Sequence, residues 1–389
     1  MFRSSVSKRL QRFGTSVFTE MTALAVEHDA VNLSQGTPDF QGPDDVIDEA
    51  ERAMSAEHNQ YIRSMGHPQL VRALAEKVQA LYGLEVDPMS EIVVTCGATE
   101  AIASSLLGLL NEGDEVILFE PFYDSYPPCV ELAGATARYY TLRWPDFAID
   151  FKELEAMFND RTRLIVVNTP HNPTGKVFTT AELSAIAELC QEHNVLCLTD
   201  EVYEHMTYGE ARHVPMATLP GMFDRTLTLS SAGKTYSLTG WKVGWAMGPA
   251  KLVAATQAAH QFFTYCTPGP MQLGIAYALR THREAYYAQL RSDYQRRRDL
   301  LVDGLRQAGF RVSPPDGTYF ALADFTELSD ADDRSFAHYL TKEIGVAAIP
   351  PSAFYQAHPE EGRHLLRFSF CKRAQTIEQA ASRLGRLVP

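Results

Sequence analysis

Six cysteines are scattered through the 389 residues, and no two form a Cys-x-x-Cys pair, so there is no thiol framework for a metal or a redox centre. Four of them lie in apolar surroundings and read as inert buried thiols of a reducing compartment. No apolar run approaches membrane-spanning length, and no signal-peptide core follows Met1. The expected location is cytoplasmic. Basic charge is also short, with 35 Lys and Arg against 48 Asp and Glu and a formal net charge of −13. A phosphate-backbone binder needs a basic footprint, so nucleic acid is excluded as a partner, as is the membrane. No internal repeat, low-complexity tract or helix-turn-helix signature interrupts the chain. The one basic, Ser-rich stretch, 3–12, lacks an amphipathic apolar face. It reads as an N-terminal arm docking on a partner subunit, not as a transit peptide.

What is present is a long run of strand, turn and helix in alternation. Strands are expected at 92–96, 115–119, 137–142, 163–168, 195–199, 226–230 and 243–247, with helices at 98–110, 151–158 and 180–193 between them. Upstream, Leu70, Leu74, Val78 and Leu81 set a helix over 68–82. Such alternation gives an α/β fold whose mostly parallel seven-stranded sheet is covered by helices, and ligands of such sheets bind beyond the carboxyl ends of the strands. Helix then continues through 261 and over 283–308, where Arg296-Arg297-Arg298 reads as a solvated face. Segments 309–322 and 346–370 read as strands of a smaller α+β unit closed by a helix over 376–387. The expected division is a large domain at 44–278 and a second unit made of 1–43 with 279–389.

The residues that carry chemistry fall at the strand ends. Lys234 sits in Ser230-Ser231-Ala232-Gly233-Lys234-Thr235-Tyr236, where small neighbours let a planar ligand approach. Burial lowers a lysine's pKa, and the neutral amine condenses with carbonyls. A P-loop reading of Gly233-Lys234-Thr235 fails, because the loop needs glycine at the position of Thr228. Thr95-Cys96-Gly97-Ala98-Thr99-Glu100 is a strand-to-helix turn whose unpaired first-turn N–H groups suit a phosphate. Taken alone the motif is weak and reads as a plain capped helix. Asn168-Thr169-Pro170-His171-Asn172-Pro173-Thr174-Gly175 is a rigid turn that presents Asn172. Asp200, in Thr199-Asp200-Glu201-Val202-Tyr203, ends an apolar strand and needs a cation to meet it. Tyr123 ends another strand, in Glu120-Pro121-Phe122-Tyr123-Asp124-Ser125-Tyr126. Arg367 stands alone inside apolar Leu365-Leu366-Arg367-Phe368, and its planar fork suits a carboxylate.

These motifs, with Thr239-Gly240-Trp241-Lys242-Val243-Gly244, closely resemble the fold-type I, class I aminotransferases that depend on pyridoxal phosphate. The likeness runs from about Phe18 to Arg386 and is nearest the kynurenine/glutamine transaminase and methionine aminotransferase branch. The resemblance implies pyridoxal 5′-phosphate as cofactor, with Lys234 as its Schiff-base lysine and proton carrier. It implies that Asp200 pairs with the ring nitrogen, that Asn172 and Tyr203 reach the ring oxygen, and that Tyr123 stacks on the ring. Gly97, Ala98, Thr99, Ser231 and Lys242 would hold the phosphate. Most of the wider family has arginine at position 242, and lysine matches this branch. Tyr61 would reach the phosphate of the other subunit of a homodimer. Arg367, with Gly36 and Asn172, would take the substrate α-carboxylate, and Phe18 would lie on the substrate.

The implied reaction moves an α-amino group from an amino acid to a 2-oxo acid. Phe18, Tyr61, Tyr123 and Tyr265 point to methionine, glutamine, aromatic or kynurenine-like donors over acidic ones, since no second arginine stands in a recognisable motif position. Two rivals share the fold. A cysteine-S-conjugate β-lyase would use the same residues, and assays with S-conjugated cysteines separate it. A cofactor-binding regulator would carry a basic DNA-binding domain ahead of the fold, and only about forty residues precede the expected large domain here.

Overall fold

The structure is a computed structural model that describes residues 7–11 and 13–387. Half of the basic stretch 3–12, residues 3–6 and 12, lies outside the described residues. Among the described residues eleven strands form three sheets. They are β1 (Val31–Asn32), β2 (Ile92–Cys96), β3 (Glu115–Glu120), β4 (Thr136–Thr141), β5 (Thr162–Asn168), β6 (Leu196–Asp200), β7 (Thr226–Ser231), β8 (Val243–Met247), β9 (Phe320–Asp324), β10 (Val346–Ala347) and β11 (Leu365–Ser369). The main sheet has the order β2-β8-β7-β6-β5-β3-β4, and β8 alone runs antiparallel to its neighbours. Strands β3 and β7 are buried along their whole length; Val116–Phe119 of β3 accordingly forms an unbroken apolar run, whereas β7 keeps its Thr–Leu alternation with both faces covered.

Local chemistry sets the element ends. The helix Thr180–Glu192 starts on a reciprocal capping box, in which Thr179 Oγ1 accepts from Glu182 N and the Glu182 carboxylate accepts from Thr179 N. The helix Pro68–Tyr82 stops at Gly83, whose φ of 70° a side chain would resist. Strand direction puts the carboxyl ends of β2, β3, β5, β6 and β7 on one edge, and β8 begins there just after Lys242. One sheet edge therefore gathers segments far apart in sequence.

A second apolar core joins the two ends of the chain. Val17, Met21, Val31 and Leu33 pack with Tyr294, Leu301, Phe336 and Leu384, and β1 pairs in parallel with β10. Three expectations change here. The strands expected over 309–322 and 346–370 shrink to β9, β10 and β11, because Pro314-Pro315 and Pro350-Pro351 remove ladder donors and turn the chain. A helix at Gly269–Thr281, begun with proline in its first turn, adds to the expected elements. The arginine run is not a solvated face. Only Arg296 is largely exposed. Arg297 stacks on Phe40 at 4.3 Å, and Arg298 lies over Tyr208 at 5.0 Å and donates to the Pro315 carbonyl.

Candidate active site

At the carboxyl edge of the main sheet lies a cavity of about 310 Å³, closed on its far side by Phe18, Gln35, Gly36, Phe320 and Arg367. Every site residue expected from the sequence lines it except Tyr61 and Tyr265. Tyr61 is 85 % exposed and meets Tyr265 edge to face at 5.5 Å.

Lys234 follows β7 on a short helical turn capped by Ser231, whose hydroxyl accepts from Gly233 N at 3.1 Å and donates to the Val243 carbonyl at 3.2 Å. Burial lowers the pKa of the Lys234 amine. The amine donates to Tyr319 Oη at 2.9 Å, and Tyr319 donates onward to the Gly36 carbonyl at 2.8 Å.

Asp200 ends β6 and is 4 % exposed. Its Oδ2 accepts from Tyr126 Oη at 2.7 Å and its Oδ1 from Val202 N at 3.3 Å. Neither partner is charged, and burial pushes the carboxyl up to about 6. A carboxylate so placed is short of a cation. Asn168 shapes the neighbouring turn, donating to the Asp200 carbonyl at 2.8 Å and accepting from Asn172 N at 2.8 Å. His171 is paired with Thr174 Oγ1 at 2.8 Å, so it holds the turn and takes no part in the cavity.

The helix Gly97–Leu109 opens on the cavity without a side-chain cap. Gly97 has φ 76°, and a Cβ there would sit 3.2 Å from Lys242 Nζ. The glycine therefore leaves a cradle between a helix N-terminus and an ammonium group, shaped for a small anion. Gly244 is needed for the same approach, since its Cβ would lie 2.5 Å from the Gly97 carbonyl carbon.

Arg367 comes from β11 and is 1 % exposed. Its Nη1 donates to Asn172 Oδ1 at 2.9 Å and its Nη2 to the Ser34 carbonyl at 3.0 Å, while Nε has no partner. The guanidinium lies 4.0 Å from the Phe320 ring centroid and 5.1 Å from those of Phe18 and Phe354. Burial lowers its pKa to about 10, so it stays charged at neutral pH. No described carboxylate is in salt-bridge contact with it, so the structural ion pair that could have explained a buried arginine does not form. Tyr126, Tyr319, Phe320 and Asn168 join the site without a sequence expectation of their own. Tyr126 and Asn168 lie inside motifs that the sequence does mark, whereas Tyr319 follows the Gly317-Thr318 turn that opens β9.

Among the described residues no group of acidic, histidine and cysteine side chains could hold a metal ion, and no helix is long and apolar enough to cross a membrane. The family model for aminotransferase class I and II matches residues 28–384. A probable N-succinyldiaminopimelate aminotransferase of Mycobacterium tuberculosis is 45% identical over 389 residues, covering 97% of each chain. The solved structure of the N-succinyldiaminopimelate aminotransferase from that organism superposes with a TM-score of 0.96, covering 99% of this chain and 100% of that one. The methionine aminotransferase of Escherichia coli is 41% identical, with 97% of each chain covered. A human kynurenine–oxoglutarate transaminase is 39% identical over 96% of this chain and 88% of its own. Likeness of this extent, reaching from the N-terminal region to the last helix, makes the chain a member of the class I and II aminotransferase family and an enzyme of amino-group transfer.

Proposed function

We propose that the enzyme uses pyridoxal 5′-phosphate to exchange amino groups between amino acids with apolar, aromatic or amide side chains and 2-oxo acids. One observation carries this reading. Asp200 and Arg367, buried, and Lys234, half-buried, face a single cavity with no described counter-ion in contact, so each has an unmet partner of a different kind. The Gly97–Lys242 cradle fits the cofactor's phosphate, and Asp200 fits a protonated ring nitrogen. When bound, the group supplies a carbonyl for amines to condense with and a ring that accepts the electron pair released at the substrate α-carbon.

The chain's own residues do the rest. The first-turn N–H groups at Gly97, Ala98 and Thr99 hold the phosphate with Ser231 and Lys242, and Tyr61 of the partner subunit completes that shell. Asp200 keeps the ring nitrogen protonated, with Tyr126 fixing the carboxylate from the far side. Asn172 and Tyr203 hold the ring oxygen, and Tyr123 covers the ring face. Arg367, oriented by Asn172 and Ser34, takes the substrate α-carboxylate beside Gly36. The Lys234 amine would take the proton from the substrate α-carbon and give it up on the cofactor side.

Exposed Tyr61, Phe262, Phe263 and Tyr265 support a homodimer, since such a patch is costly to leave in water. The shared core of the two chain ends supports a division into a large domain over 44–278 and a second unit of 1–43 with 279–389. Free cysteines are compatible with the cytoplasm.

Borohydride reduction followed by tryptic mapping tests the cofactor reading, which fails if the label lies on any lysine but Lys234. A donor panel tests specificity. Burying an unpaired carboxylate costs several kcal/mol, and a partial penalty of about 3 kcal/mol gives methionine or phenylalanine roughly a hundredfold advantage over aspartate. N-succinyldiaminopimelate belongs in the panel because its distal carboxylates would need cations beyond Lys234, Lys242 and Arg367, the ones that line this cavity. Preference for it would move the specificity to residues of the partner subunit.

A further inference from the structure

Tyr319 is fully buried just ahead of β9, and its hydroxyl is a meeting point. It donates to the Gly36 carbonyl at 2.8 Å and accepts from Lys234 Nζ at 2.9 Å. A phenol has one proton and two lone pairs. With the proton committed to Gly36, the oxygen can only accept from the lysine. It therefore fixes one N–H and leaves the nitrogen lone pair unengaged. Burial raises the phenol's pKa well above its ordinary value, so it stays protonated and is no competing base.

The ring has no room to swing. It packs edge-on against Tyr203 at 5.1 Å and Phe320 at 4.8 Å, and stacks on Tyr294 at 5.9 Å. A Cβ on Gly36 would meet Tyr319 Cε2 at 2.8 Å and Phe320 Cζ at 2.7 Å. The bare backbone at 36 is what lets its carbonyl reach the hydroxyl.

We propose that Tyr319 is a positioning residue that docks the Lys234 amine whenever it is free, holding one N–H so that the lone pair is available for the substrate's α-proton, and that it ties this docked state to the substrate-side loop at Gly36. The inference rests on the reading of Lys234 as the cofactor lysine. The α-proton moves to Nζ and is given up again on the cofactor side, while Tyr319 keeps its own proton, so no further reactant is required.

The test is Tyr319→Phe, with Tyr319→Met as a second variant of similar volume. In single-turnover reactions of the loaded enzymes with L-methionine, the rate should fall about 10- to 100-fold. The isotope effect from α-deuterated methionine should grow, and the concentration for half-saturation should stay within about twofold, because Arg367 is untouched. A second readout uses cofactor-free protein, in which reductive methylation of Lys234 is followed against pH by mass spectrometry. Losing an acceptor disfavours the ammonium form, so the midpoint should drop by about half to one pH unit. The variant is then slower although more of its amine is unprotonated, which a packing role would not produce. An unchanged isotope effect with an unchanged methylation midpoint overturns the proposal. Failure of borohydride to fix pyridoxal phosphate to Lys234 in the parent enzyme would instead overturn the cofactor reading. The methylation midpoint would still decide whether Tyr319 docks the amine.

Discussion

Asp200→Asn should make the cofactor-free enzyme gain stability on the parent as pH rises to neutrality, while it destroys turnover. Burial lifts the Asp200 carboxyl from an ordinary 3.8 to about 6. A rise of that size means that the folded site disfavours the ionised form by about 3 kcal/mol relative to the neutral one. The sign follows from proton linkage. Well below pH 3.8 the side chain is neutral in both folded and unfolded chains and costs nothing. Between about pH 4 and 6 the unfolded chain ionises first, so folding stability falls as pH rises. About half of the cost has developed at pH 5 and all of it by pH 7. Asparagine cannot ionise, and its carbonyl oxygen can still accept from Tyr126, so it avoids that loss. Its own amide costs something at every pH, and that part cancels when pH values are compared. Urea unfolding of both cofactor-free proteins from pH 5 to 8 should therefore show the variant gaining on the parent by about 1–2 kcal/mol. Adding pyridoxal phosphate should reverse the order, because only the carboxylate can pair with the ring cation. A difference that ignores pH would mean that Asp200 titrates normally in the folded chain. Equal stabilisation of both proteins by the cofactor would remove Asp200 from the ring nitrogen.

Other substitutions probe the remaining subsites. Gly97→Ala places a methyl group 3.2 Å from Lys242 Nζ at a φ of 76°, so fluorescence titration of the cofactor-free protein should show at least about tenfold weaker cofactor binding. Arg367→Lys keeps the charge but loses the fork. Steady-state KM values for both amino acid and 2-oxo acid should rise about a hundredfold, and unchanged values would put the carboxylate elsewhere. Lys77→Met leaves the Glu204 carboxylate buried without its 2.6 Å partner, and urea unfolding should register a loss of about 3–5 kcal/mol.

The sequence by itself determined the strands of the main sheet and the lysine, aspartate, asparagine and arginine that face the cavity. Each announces itself locally. Lys234 stands among small residues, Asp200 ends an apolar strand, Asn172 lies between prolines, and Arg367 interrupts an apolar run. A charged or turn-forming residue in such a place has few physical explanations, so a short window suffices. Partners were legible only in three dimensions. Tyr126 meets Asp200 from 74 residues away, Tyr319 meets Lys234 from 85, and Arg367 meets Asn172 from 195. Nothing local gives either tyrosine its role, and nothing local marks Tyr319 at all, because in a chain with 17 tyrosines each is by default a core or surface ring. The arginine run misled for the same reason. Three consecutive charges on a helix looked solvated, yet Arg297 and Arg298 are covered by Phe40 and Tyr208, which other segments bring to them. Hydrophobic period and turn chemistry are properties of neighbours along the chain, whereas the polarity of a site depends on which distant groups the sheet edge gathers there, and only the folded chain fixes that.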